Sequence, residues 1–193
     1  SAAVSTWSAP NDETPAVTRS ESDREVPGAF LFTDVVGFTE FTETLGDAAA
    51  VAVLDLQAEL IRKAIADGPA RVVKELGDGA MLWFGEAGHA LSAATTLSDR
   101  LEDARLRRTM PLAVRMGMHH GSAVARGRDL VGHAVNVAAR ISALAGPGEL
   151  LVSDEVVIAA DHVPDAISLE PIGPVPVRGV ERPIWLHRAS GGV

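Results

Sequence analysis

The apolar positions of this chain change period several times, and each change predicts an element. Ala29-Phe30-Leu31-Phe32-Thr33 is a short unbroken apolar run, the pattern of a buried strand. After Gly37 the spacing turns helical, with Phe38, Phe41 and Leu45 on one face, until Gly46 breaks it. Asp47 is the expected N-cap of a long helix from Ala48 to about Ala66, with Val51, Leu54, Ile61 and Ile65 among its apolar positions. Two apolar runs, Arg71–Leu76 and Ala80–Phe84, flank Gly77-Asp78-Gly79, which predicts a hairpin. A further helix is expected from about Glu86 to Asp103, with Leu91, Ala94 and Leu97 on its core face. Leu112–Met118 reads as a strand interrupted at Gly121, with Ser122–Ala125 on a partner strand. A helix follows Gly132 and reaches about Leu144, where Gly146-Pro147-Gly148 stops it. Leu150–Ser153 is a short strand, Asp154–Ala160 is helical, and Ile167–Val177 with Ile184–His187 are late strands split by Arg178-Gly179. Strand, helix, helix, hairpin, helix, strand is the order of an α+β or α/β sandwich with helices packed on one sheet.

Residues 1–28 carry no such period and are rich in Ser, Thr, Pro, Glu and Asp, so they read as a flexible lead or linker to one domain over 29–193. A chain of 193 residues, 47% hydrophobic and 22% charged, fits one soluble globular domain plus a tail. Its net charge of −9 disfavours nucleic acid or an anionic membrane as main partner. A nucleotide substrate would then need local positive charge or metal. There are no cysteines, which excludes disulfide and thiolate chemistry. No apolar stretch reaches the ~18–20 residues of a membrane span, and the N-terminus has no signal-peptide pattern. The first residue is Ser, which fits a processed product or a piece of a longer protein.

Chemistry concentrates in three segments. Phe32-Thr33-Asp34-Val35-Val36-Gly37-Phe38-Thr39 ends a strand on a carboxylate, and Lys74-Glu75-Leu76-Gly77-Asp78-Gly79 sets a second one in a tight turn. Singly, either Asp is an ordinary cap or turn residue. Brought together, the two make an oxygen-rich site for Mg²⁺ or Mn²⁺, cations that serve phosphate chemistry. In the third segment, Asp129 to Arg140, Asn136 and Arg140 lie four apart and share a helix face. Arg offers a fork of donors suited to phosphate oxygens; the bland alternative is a solvated polar face. His119-His120 reads as a structural pair beside a strand-end glycine, His133 as a border of the pocket, and Trp83 and Trp185 as core or interface aromatics.

Taken in order, Phe-Thr-Asp-Val-Val-Gly-Phe-Thr, Lys-x-x-Gly-Asp-Gly and Asp-x-x-Gly-x-x-Val-Asn-x-x-x-Arg resemble the class III nucleotidyl cyclase catalytic domain, over roughly Ala29 to Arg188. The Ala- and Val-rich composition is similar to that of its bacterial, particularly actinobacterial, members. The resemblance implies a ferredoxin-like βαββαβ-type α+β sandwich whose central, mostly antiparallel sheet is covered by helices. It implies two metal ions, Mg²⁺ or Mn²⁺, at Asp34, Val35 and Asp78. Lys74 and Asp129 match the purine-reading pair in its adenine form, Asn136 the ribose-orienting residue, and Arg140 the transition-state arginine. Arg178 matches, loosely, a basic phosphate contact.

The activity so implied is adenylyl cyclase, a phosphorus–oxygen lyase making 3′,5′-cyclic AMP from ATP in the cytoplasm. A guanylyl cyclase and a catalytically weak nucleotide-binding regulatory domain are the competing readings. Lys74 and Asp78 lie four residues apart along a strand and its turn, or ~13 Å at ~3.3 Å per residue. One ATP is then not expected to use both from the same chain. With the family's division of labour, this implies a head-to-tail homodimer with two shared sites, and an inactive monomer. Regulatory input is expected from a domain outside this chain.

Overall fold

The computed structural model describes residues 24–192. Thirteen elements follow one another: β1 (Glu25–Val35), α1 (Phe38–Leu45), α2 (Asp47–Ala64), β2 (Ala70–Glu75), β3 (Gly79–Phe84), α3 (Ala87–Leu106), β4 (Val114–Arg126), β5 (Asp129–Val131), α4 (His133–Leu144), β6 (Leu150–Ser153), α5 (Asp154–Ala159), β7 (Ile167–Val175) and β8 (Ile184–Gly191). The strands form one sheet in the order β2-β3-β1-β4-β6-β8-β7, with β5 paired to β4. All pairings are antiparallel except β4 with β6. This is the α+β sandwich with a mostly antiparallel sheet that the family resemblance implied; the element order alone leaves α/β open.

Helices on both faces explain why β1 reads as an unbroken apolar run. Leu31 points to one face, with Leu82 of β3, Met116 and Met118 of β4, Val53 and Ile61 of α2, and Leu91 and Leu97 of α3. Phe30 and Phe32 point to the other, with Met81, Ala123, Leu130 and the α4 residues Ala134, Val135 and Ala138. A strand covered on both sides keeps apolar residues at every position. Among the described residues, no helix is long and apolar enough to cross a membrane.

Several boundaries differ from expectation. The strand placed at Ala29 begins at Glu25, because β4 runs unbroken past Gly121 and its residues Ser122–Val124 pair with Glu25–Pro27. The remainder of the expected lead, residues 1–23, lies outside the described residues. Gly121 marks close packing instead of a break: a Cβ there would lie 2.8 Å from the methyl of Ala134 on α4. Ser122–Ala125 is therefore part of β4, and the partner across the turn is the short β5. Asp47 is the first residue of α2, not its cap; Gly46 holds the cap position with no side-chain hydrogen bond. Val51, expected on the apolar face, is 54% exposed.

Candidate active site

β1 delivers Asp34 to the sheet's end, where its register neighbours are Gly79 of β3 and Arg115 of β4. The Val35 N–H donates to the Asp78 carbonyl at 3.2 Å, tying the tip of β1 to the hairpin turn. Behind these residues, the buried Thr33 hydroxyl accepts hydrogen bonds from the Ala80 N–H at 3.0 Å and the Gln57 amide at 3.1 Å. Gly79 passes so close to the Thr33 carbonyl that a side chain there would collide with it. At Gly37, φ is +74°, so the chain turns directly from β1 into α1.

The result is one open cleft of about 370 Å³ lined by Asp34, Asp78, Arg115 and the chain from Val35 to Glu40. The two predicted metal carboxylates do share it. Their hard oxygens suit a cation that keeps other ligands, as Mg²⁺ keeps waters and phosphate oxygens. No set of three or more His, Cys, Asp or Glu side chains among the described residues forms a full cage.

Sequence reasoning missed Arg115. Its Nε donates to Asp34 Oδ2 at 2.6 Å, and its Nη2 lies 2.6 Å from the same oxygen. Both side chains are about one-third exposed. A guanidinium cation thus lines the cleft beside the carboxylate. The available signal was a charged residue inside the apolar run Leu112–Met118.

Lys74 and Asp129, 55 positions apart, meet as a partly exposed ion pair with Nζ to Oδ2 at 2.9 Å. Lys74 stands opposite Met81, hence on the α4 side of the sheet, and β5 brings Asp129 over that same side. The hydrogen bond from Lys74 holds the Asp129 carboxyl below the usual carboxylate range, helped by the Leu130 N–H at 2.8 Å. Asp129 therefore stands ionised as an acceptor beside a Lys donor.

Asn136 is exposed on α4, and Arg140 follows one turn later on the same face. Arg140 Nη1 donates to the backbone carbonyl of Arg178 in the turn between β7 and β8. The Arg178 side chain itself is exposed. The cleft holding Asp34 and Asp78 is lined by none of Lys74, Asp129, Asn136 and Arg140. Asp34 and Arg115 also line a second, smaller cleft with Ala139, Ser142 and Ala143 of α4.

Two of the remaining candidates make structural contacts. Buried His119 accepts or donates at Ser153 Oγ, 2.8 Å away, and Trp83 donates to the Pro27 carbonyl at 3.2 Å under the Arg71 guanidinium. Trp185 is 54% exposed.

Residues 21–188 match the model of the adenylate and guanylate cyclase catalytic domain. The chain is 31% identical over 170 residues to a putative adenylate cyclase of Rhizobium meliloti, covering 86% of this chain and 28% of that protein. It is also 31% identical over 189 residues to a pH-sensitive adenylate cyclase of Mycobacterium tuberculosis, covering 93% of this chain and 46% of that one. It thus spans less than half the length of these curated relatives. Among solved structures, an adenylate/guanylate cyclase/hydrolase from Silicibacter pomeroyi superposes with a TM-score of 0.74 at 30% identity, over 88% of this chain and 99% of that one. An adenylyl cyclase from P. aeruginosa gives a TM-score of 0.75 at 22% identity, over 88% and 96%, and so shares the fold. The chain belongs to the adenylate and guanylate cyclase catalytic domain family.

Proposed function

We propose that this domain converts ATP to 3′,5′-cyclic AMP and pyrophosphate at two composite sites of a head-to-tail homodimer. The observation that carries the reading is the Lys74–Asp129 pair, 2.9 Å apart. A Lys donor and an ionised Asp acceptor side by side match adenine's ring nitrogen and exocyclic amine. Guanine presents the reverse polarity at that edge, so each contact would face its own kind. The adenylate cyclases among the relatives support the same choice.

Each residue then has a task. Asp34, Asp78 and the main chain at Val35 would hold Mg²⁺ or Mn²⁺, two per site. When bound, the metal supplies neutralisation of phosphate charge and a lowered pKa for the attacking hydroxyl. Asn136, with both donor and acceptor, orients the ribose of a nucleotide whose base lies against Lys74 and Asp129. The 3′-oxygen forms a bond to the α-phosphorus, its proton leaves, and the bond to the bridging oxygen of pyrophosphate breaks. Arg140 faces the charge that grows on the α-phosphoryl oxygens; arginines in comparable phosphoryl transfers contribute ~10³–10⁵ in rate. Arg115, already in the cleft, can exchange Asp34 for a phosphate oxygen.

The absence of Lys74, Asp129, Asn136 and Arg140 from the lining of the Asp34–Asp78 cleft supports shared sites. A closed two-fold dimer lets each protomer supply the half its partner lacks. The test is product formation with Mn²⁺ and either ATP or GTP, at protein concentrations where a dimer is present. Cyclic AMP from ATP is the expected product. Predominant cyclic GMP would favour the guanylyl reading, and tight ATP binding with no product would favour a regulatory module.

A further inference from the structure

We infer that the turn between β7 and β8 sets the position of the Arg140 guanidinium, and that Gly179 is a positioning residue for the reaction. The inference rests on the role proposed above for Arg140. A long arginine on an exposed helix face samples many rotamers, and a transition-state donor needs one of them. Something must select it.

The turn is anchored next to Arg140. Val177 is buried with Ile141, the residue after Arg140, and with Leu151, Ile184 and Leu186 of the sheet. The Val180 N–H donates to the Val177 carbonyl at 3.0 Å, closing the turn. Within it Gly179 has φ of +69°, a conformation that side chains rarely adopt. In this turn the Arg178 carbonyl accepts from Arg140 Nη1. The same turn leaves a bare Cα against the guanidinium. A Cβ at Gly179 would lie 2.6 Å from Nη1, and 3.2 Å from both Cζ and Nη2. Carbonyl and missing side chain together make a seat for the guanidinium.

What a side chain would displace is the far end of a flexible arginine, not backbone. The cheapest response to a Cβ at position 179 is therefore movement of the guanidinium; Ala also bears the strain of the positive φ, which Asn largely avoids. Catalytic groups tolerate little displacement: a misplacement of ~1 Å can cost ~10²-fold in rate. The base-reading pair and the metal carboxylates are elsewhere, so substrate binding should change little.

The experiment compares Gly179→Ala with Gly179→Asn. Asn accepts positive φ with little strain but still carries a Cβ. Both variants should lose kcat by roughly 10–100-fold with KM for ATP nearly unchanged. Similar losses in the two identify the collision as the cause. Mixed dimers add a readout that a general structural defect would not give. Gly179→Ala should regain activity when mixed with Asp34→Ala, because one site then combines an intact metal half with an intact Arg140 half. It should gain nothing from Arg140→Ala.

Either Gly179 variant with the parent kcat, or recovery with Arg140→Ala, would overturn the inference. So would a loss confined to KM. Asp34→Ala mixed with Arg140→Ala is the control: failure of that pair counts against shared sites, while the kcat comparison still decides for Gly179. Nuclear magnetic resonance of ¹⁵N-arginine-labelled protein needs no turnover. The guanidinium signal absent from Arg140→Lys should shift in both Gly179 variants; an unmoved signal would contradict the seat even in a protein without cyclase activity.

Discussion

Asp34, Asp78, Lys74 and Asp129 are all ordinary residues at ordinary positions, and only pairing gives them chemistry. Spacing in the sequence shows Lys74 and Asp78 on one hairpin, but Asp129 comes beside Lys74 across 55 positions, through a three-residue strand that no periodicity announces. Here the family motif supplied what the pattern did not. Arg115 was illegible for a related reason: its meaning depends on the register that sets it opposite Asp34. If the Lys74–Asp129 pair reads the base, Lys74→Glu with Asp129→Cys should move preference toward GTP by at least about 10-fold in the ratio of kcat/KM. Exchanging donor and acceptor at one base edge supports discrimination of that size. Parallel ATP and GTP assays check it, and an unchanged ratio would place base reading elsewhere. Arg115→Ala should weaken ATP use by ~10–100-fold, seen in kcat/KM, since it removes a preplaced charge from the cleft.

At the scale of elements, α4 is the critical piece because it carries Asn136 and Arg140 and covers Phe30, Phe32 and Met81. Its approach to β4 depends on glycines. At Gly117 a Cβ would run into the Ser142 backbone, which, unlike a side chain, cannot move aside cheaply. Gly117→Ala should therefore cost about 1–3 kcal/mol, the range of overpacked sites. At about 2–4 °C per kcal/mol for a chain of this size, calorimetry should show a clearly lower Tm. Activity should fall with it, because the helix shifts with both residues. Gly179→Asn is the contrasting case, with its effect on rate and little on Tm, because Asn tolerates the positive φ there. Helix and strand order was legible from period alone, since amphipathic faces and turn glycines set it locally. The glycine at 121 was misread because a close helix contact and a strand break leave the same letter in the sequence. Only the helix packed against it tells them apart.

For the whole molecule, pH and concentration are the informative variables. Burial pushes the His119 imidazole below its ordinary value of 6.5, with His133 and His120 adding repulsion and Glu155 opposing it. His120 is lowered in the same way, by burial first. The unfolded chain then takes up these protons before the folded one does. This contribution is complete above the ordinary imidazole pKa and is lost as pH falls below 6.5, by at most about 1.4 kcal/mol per unit for the buried His119 and by less for the more exposed His120. Thermal unfolding from pH 7.5 to 5.5 should show that decline, and His119→Asn should flatten it.

The proposed sharing of sites between protomers is the least local property of all. No window of sequence contains it. Its direct measure is cyclic AMP formed from ATP with Mn²⁺, per mole of protein, over a dilution series that crosses the dimer's dissociation. Composite sites predict specific activity that rises with concentration and levels off once the dimer is complete. Constant specific activity down to a monomer, or no cyclic AMP where the dimer is complete, would contradict the account.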